Sequence, residues 1–136
     1  MRSNKLKNII SKNFKNLLEK EIIYNEIDEK EIEISLPFLD NRNDYIFIYI
    51  KETEKNKFII HDYGYNLEDL NYKFGRKKEF LKENIENICK RNNVLINKNN
   101  HLIINETNKE NIAYKIQDML QTIMYISAFK TVTSTY

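Results

Sequence analysis

An imidazole beside a carboxylate closes the apolar run Phe58-Ile59-Ile60-His61-Asp62, and Glu68 and Asp69 follow within one helical turn. Several carboxylates converging on a divalent cation, with a histidine to move a proton, would make a metal-dependent hydrolase or nuclease centred on His61, Asp62 and Glu68. Strand geometry opposes this, because consecutive side chains point to opposite faces and His61 and Asp62 would not aim at one ion. The expected role of Asp62 is to accept hydrogen bonds from the amides of a turn. Gly64 then supplies a positive φ, and Asn66 caps a helix carrying Leu67 and Leu70. Asp62 and Gly64 are therefore expected to be structural turn residues, and no catalytic residue, metal or cofactor is expected. His101 sits in or just after a turn with no evident partner. Cys89 lies beside Lys90 and Arg91, which favour a thiolate, but no nearby base would run covalent catalysis and a buried helical cysteine is expected.

Charge is the next candidate for function. The formal net charge of +2 is the sum of three unequal stretches. Residues 1–20 carry six Lys/Arg against one Glu, residues 21–70 carry five against thirteen Asp/Glu, and residues 71–136 carry eleven against six. The acidic stretch Glu26, Asp28, Glu29, Glu31 and Glu33, with Asp40 and Asp44 behind it, stands out against a lysine-rich background. It could imitate phosphate spacing and dock on a basic groove of a nucleic-acid enzyme, or could simply guard an exposed sheet edge. A basic segment, Lys73, Arg76, Lys77 and Lys78 among Tyr72 and Phe74, is the candidate nucleic-acid-binding site, its cations neutralising phosphates and its rings stacking on bases. Glu79 and Glu83 would offset it.

The elements that must position these groups follow from apolar spacing. Leu6, Ile9, Ile10, Phe14, Leu17 and Leu18 form one stripe with Lys5, Lys12, Lys15 and Lys20 off it, which predicts a first helix whose apolar face packs on a sheet. Ile32, Ile34 and Leu36 alternate with Glu31, Glu33 and Ser35 until Pro37, predicting a half-exposed strand. The run 45–50 predicts a well-covered strand, with 57–60 as its antiparallel partner. A short helix over about 66–73 and a second over 77–91 follow. Residues 94–96 and 102–104 then flank the Asn-rich segment 97–101 as a hairpin. Thr107 or Asn108 caps a closing helix over about 108–130, whose apolar stripe through Ile112, Ile116, Met119, Leu120, Ile123, Met124 and Ile126 suggests burial or a homodimer, and 131–136 forms a frayed tail.

At 136 residues, 41% hydrophobic and with one cysteine, the chain is expected to be a single domain (1–136) in a reducing compartment, the cytoplasm. No signal peptide or membrane span is expected. The order Leu36-Pro37-Phe38, Asp40, the apolar run 45–50, Ile59-Ile60-His61-Asp62-Tyr63-Gly64 and Leu67/Leu70 resembles the small bacterial and phage family catalogued as domain of unknown function 1828, over about residues 30–129. Asp62 and Gly64 fit the family's Asp-Asp-Gly-like turn; His61 or Tyr63 departs from its acidic content. The resemblance implies a hairpin and a closing apolar helix, and its phage association implies proteins that act on host defence. The fold expected is α+β: an N-terminal helix, a three-stranded antiparallel meander, two helices, a β-hairpin and a long C-terminal helix. The function expected is that of a small non-enzymatic phage or mobile-element protein that binds and inhibits a host macromolecule. Its partner would be a nucleic-acid-processing defence enzyme such as a CRISPR effector, so that the protein is anti-CRISPR-like. The nucleic-acid-binding module and the hydrolase remain the alternatives.

Overall fold

Isoleucines spaced two apart sort the middle of the chain into strands with one greasy face, and a computed structural model shows how they assemble. It describes residues 2–40, 43–68 and 78–134. In order come α1 (Arg2–Glu21), β1 (Ile23–Glu26), β2 (Glu31–Leu39), β3 (Tyr45–Glu54), β4 (Lys57–His61), α2 (Lys78–Arg91), β5 (Leu95–Ile96), β6 (Leu102–Thr107) and α3 (Ile112–Ser134). A helical turn at 65–68 follows β4. The strands form one antiparallel sheet in the order β1-β2-β3-β4-β6-β5, so the protein is α+β.

Register puts Ile34 opposite Ile48, and Ile32, Ile50, Ile60 and Ile104 in one row across four strands. These residues face α2, which contributes Leu81, Ile85 and Cys89, and α3, which contributes Met119, Ile123 and Ile126. The closing helix thus spends on the core much of the stripe that could have paired two copies through it. Thr122, fully buried among these side chains, is satisfied by donating to the Asp118 carbonyl at 2.8 Å.

The hairpin β5–β6 extends the meander by pairing β6 with β4. Four features differ from the sequence-based expectation. A further edge strand, β1, lies on the other side of the meander; its Ile-Tyr-Asn-Glu is too short and too exposed to carry a strand pattern. β2 continues past Pro37 to Leu39. It can do so because its pairing with β1 stops at Ser35, while a shift of register between Leu36 and Leu39 absorbs the proline against β3. α3 runs to Ser134, so residues 131–134 are helical where a frayed tail was expected. Finally, the apolar stripe of α1 does not pack on the sheet: Leu6, Ile9, Ile10, Phe14 and Leu17 are 50–60% exposed, and the main contact of the helix is with β2. The expected helix over 66–73 is seen as far as Glu68, and the rest of it falls outside the described residues.

Candidate functional site

The second face of the sheet is polar and aromatic where β2, β3 and β4 meet. Register aligns Asn25, Glu33, Tyr49, His61 and Ile103 in a row across five strands, with Glu31 and Lys51 in the next row. Tyr63, from the turn after β4, folds back over that row. Its ring meets Tyr49 and His61 edge-on at 4.5 and 4.4 Å between centroids, while Tyr49 stacks on His61 at 5.7 Å. Such edge and offset ring contacts add about 0.5–1.5 kcal/mol each beyond area burial.

Glu31 is the hub of this cluster. Its Oε2 lies 3.0 Å from His61 Nε2 and its Oε1 accepts the Tyr63 hydroxyl. The Tyr63 backbone N–H points at His61 Nδ1 from 3.3 Å, which makes that nitrogen the acceptor and places the ring proton on Nε2, donating to Glu31. Both imidazole nitrogens and both carboxylate oxygens therefore have partners within the protein. Tyr63 takes φ of +58°, which is strained for a bulky side chain, and the Glu31 hydrogen bond and ring contacts hold it there.

The same contacts bind phenol protons. Hydrogen bonding to Glu31 pushes Tyr63 up from 10.0 to about 12; burial, then the hydrogen bond to Glu33, raises Tyr49 further; burial pushes the Cys89 thiol up to about 11. In each case the folded chain keeps a proton that the unfolded chain gives up. That stabilisation is complete below about pH 9 and is lost as pH rises towards 12 and beyond. Denaturant titrations between about pH 8 and about pH 12 are expected to show a midpoint falling with pH, and ultraviolet absorbance to show tyrosines ionising late. Tyr63→Phe should flatten part of the fall.

Asp62 lies on the turn itself, 1% exposed. Its Oδ1 accepts the N–H groups of Gly64 at 2.8 Å and Leu102 at 3.0 Å, and its Oδ2 accepts the Asn66 side-chain amide at 2.8 Å and the Asn66 N–H at 3.4 Å. One carboxylate thus joins the end of β4, the start of the next helix and β6. Gly64, at φ +81°, closes the turn against His101: a Cβ there would meet His101 Cδ2 at 2.7 Å. The contact places His101 against the turn, with its ring 6.4 Å from that of Tyr63. Glu68 is exposed, and among the described residues no three His, Cys, Asp or Glu side chains come together as a cation would need.

The acidic residues divide between two ends of the sheet. Glu26, Asp28 and Glu29 surround the β1–β2 turn, where Asp28 Oδ1 accepts the N–H groups of Lys30 at 2.7 Å and Glu31 at 2.9 Å. Asp40 and Asp44 close the β2–β3 connection at the opposite end, the Asp44 N–H donating to Asp40 Oδ1 at 3.1 Å. Glu31 is a correction: at 7% exposure it belongs to the buried cluster, not to an acidic surface. Glu33 is half-buried, accepting from Asn25 Nδ2 at 3.2 Å and from Tyr49. Glu52, which sequence reasoning did not single out, joins the first group. Together Glu26, Asp28, Glu29, Lys30 and Glu52, with Glu31 between the cleft and the buried cluster, line a cleft of about 430 Å³ floored by Ile32, Ile50 and Phe58. Lys73, Arg76 and Lys77 lie outside the described residues, and Lys78 opens α2.

An α+β protein with a six-stranded antiparallel sheet, two helices on one face and a Glu–His–Tyr cluster on the other is thus defined by its geometry. The model of the family described as domain of unknown function DUF1828 matches residues 36–126, well over half the chain, and the chain belongs to that family. No curated protein and no solved structure shows significant similarity to it. The match spans β3, β4, the Asp62 turn, α2, the β5–β6 hairpin and most of α3, while α1, β1 and the acidic β1–β2 turn precede it.

Proposed function

We propose that the chain is a non-enzymatic binding protein that grips a basic partner at the β1–β2 turn. The observation that carries this is the concentration of Glu26, Asp28, Glu29 and Glu52, against one Lys30, around the apolar floor of Ile32, Ile50 and Phe58. A lysine or arginine side chain suits such a cleft, with its methylene stem on the floor and its cation among the carboxylates. His61 and Asp62 support the same reading from the other direction, because their hydrogen-bonding capacity is spent inside the protein. The partner class we infer is a host nucleic-acid-processing protein, whose basic groove the carboxylates would occupy in place of phosphates. The biological role would be that of a cytoplasmic phage or mobile-element inhibitor of a defence enzyme such as a CRISPR effector.

Capture from a bacterial lysate followed by mass spectrometry tests this. Wild type should retain a basic nucleic-acid-binding protein at low salt and release it as ionic strength rises. Glu26→Lys/Glu29→Lys should lose at least about tenfold in affinity, since each reversal replaces an attraction by a repulsion. Asp28 is left in place because its carboxylate holds the turn. Retention of the same protein by the variant, or of none by wild type, would overturn the reading.

A further inference from the structure

Among the described residues, two apolar surfaces are left without a covering partner. One is the α1 stripe of Leu6, Ile9, Ile10, Phe14 and Leu17. The other lies on the second face of the sheet, beyond the Glu31 cluster, where register brings Ile23, Ser35 and Phe47 into one row and Leu39 and Tyr45 into the next. Ile23, Leu39, Tyr45 and Phe47 are 41–53% exposed. A helix in water gains little from propensity alone and draws its stability from burying such a stripe.

We propose that two copies of this chain pair by exchange, the α1 of each lying on the exposed sheet patch of the other. Three observations choose this occupant. First, only Ile22 separates α1 from β1, and its N–H still donates to the Leu18 carbonyl at 3.0 Å, so the helix bonding runs to the edge of the strand. So short a connector restricts how far α1 can fold over its own sheet beyond its contact with β2, and a connector of this kind favours exchange between copies. Second, the charges match. α1 carries Lys5, Lys7, Lys12, Lys15 and Lys20 against Glu19 and Glu21, whereas the exposed Asp44 stands at the patch beside Tyr45. Third, both halves of the contact are on one chain, so a two-fold arrangement makes it twice and closes without further growth.

Light scattering and analytical ultracentrifugation of the full chain should show a dimer at about 100 µM that weakens with salt, as the charge match requires. Phe14→Glu and Phe47→Glu should each weaken the dimer at least about 100-fold, because each places a charge in both contacts, while circular dichroism stays unchanged. Tyr45→Lys serves as a second sheet variant if Phe47→Glu folds poorly. The decisive arm mixes Phe14→Glu with Phe47→Glu: the mixed pair retains one intact contact, so native mass spectrometry should find the heterodimer and neither homodimer. A monomeric wild type overturns the proposal. So does a dimer broken by Phe14→Glu but not by the sheet variants, which would mean helix-on-helix pairing. A monomer that binds phosphatidylserine-containing vesicles through α1 and not plain phosphatidylcholine ones would overturn it in favour of a lipid surface.

Discussion

Asp62→Ala should cost the fold about 3–5 kcal/mol, the largest effect of any single substitution considered for this chain. The carboxylate is the acceptor for three backbone N–H groups and one side-chain amide, all gathered at the junction of β4, β6 and the following helical turn. Truncation leaves those donors in a buried site with nothing to accept them, at roughly 1–3 kcal/mol for each that water cannot reach. With unfolding free energies of domains at about 5–15 kcal/mol, the variant should be marginal or unfolded at room temperature. Asp62→Asn keeps one carbonyl oxygen but turns an NH₂ towards a donor, either Asn66 or the Gly64/Leu102 pair, and should fall between wild type and Asp62→Ala. Urea denaturation followed by circular dichroism measures both. An Asp62→Ala protein within about 1 kcal/mol of wild type would show that the turn does not depend on this carboxylate.

The second large effect belongs to Glu31. Glu31→Ala strips the acceptor from His61 Nε2–H and from the Tyr63 hydroxyl and leaves a void beside those two rings, and should destabilise by about 2–4 kcal/mol. Tyr63→Phe removes one of the two bonds and should cost less, about 1 kcal/mol. Because the two side chains share a network, their effects should not add: the double variant should be more stable than the sum implies, by about 0.5–3 kcal/mol. Additivity within error in that cycle would mean that Tyr63 is held in its strained backbone conformation by ring packing alone.

Much of the architecture was legible because it is written in short periods. The two-residue alternation of Ile32, Ile34 and Leu36 and the apolar run from Tyr45 placed β2 and β3, and Asp62, Gly64 and Asn66 marked the turn by residue type. What stayed hidden depends on register, which adjacent residues do not report. Glu33, Tyr49 and His61 are 28 positions apart at the extremes and become neighbours only once β2, β3 and β4 are aligned. Glu31 has the residue type of a surface group, and the partner that buries it, Tyr63, lies across two strands and a turn. Glu52 entered the acidic cleft for the same reason, since β3 returns it to the β1–β2 end of the sheet. The α1 stripe misled in the opposite sense: its period identified the helix correctly, yet amphipathicity cannot say whether the surface it matches is on the same copy.

In the function we propose, recognition belongs to the β1–β2 carboxylates and the Glu31–His61–Tyr63 cluster is scaffold. Amide chemical-shift mapping of the isotope-labelled chain tests it most directly, with the captured partner added, or an oligoarginine peptide in its place. The expected result is perturbation centred on residues 26–30, Glu52 and Phe58, lost in Glu26→Lys/Glu29→Lys. Shifts centred on His61, Tyr63 and His101, with the β1–β2 turn unmoved, would contradict it.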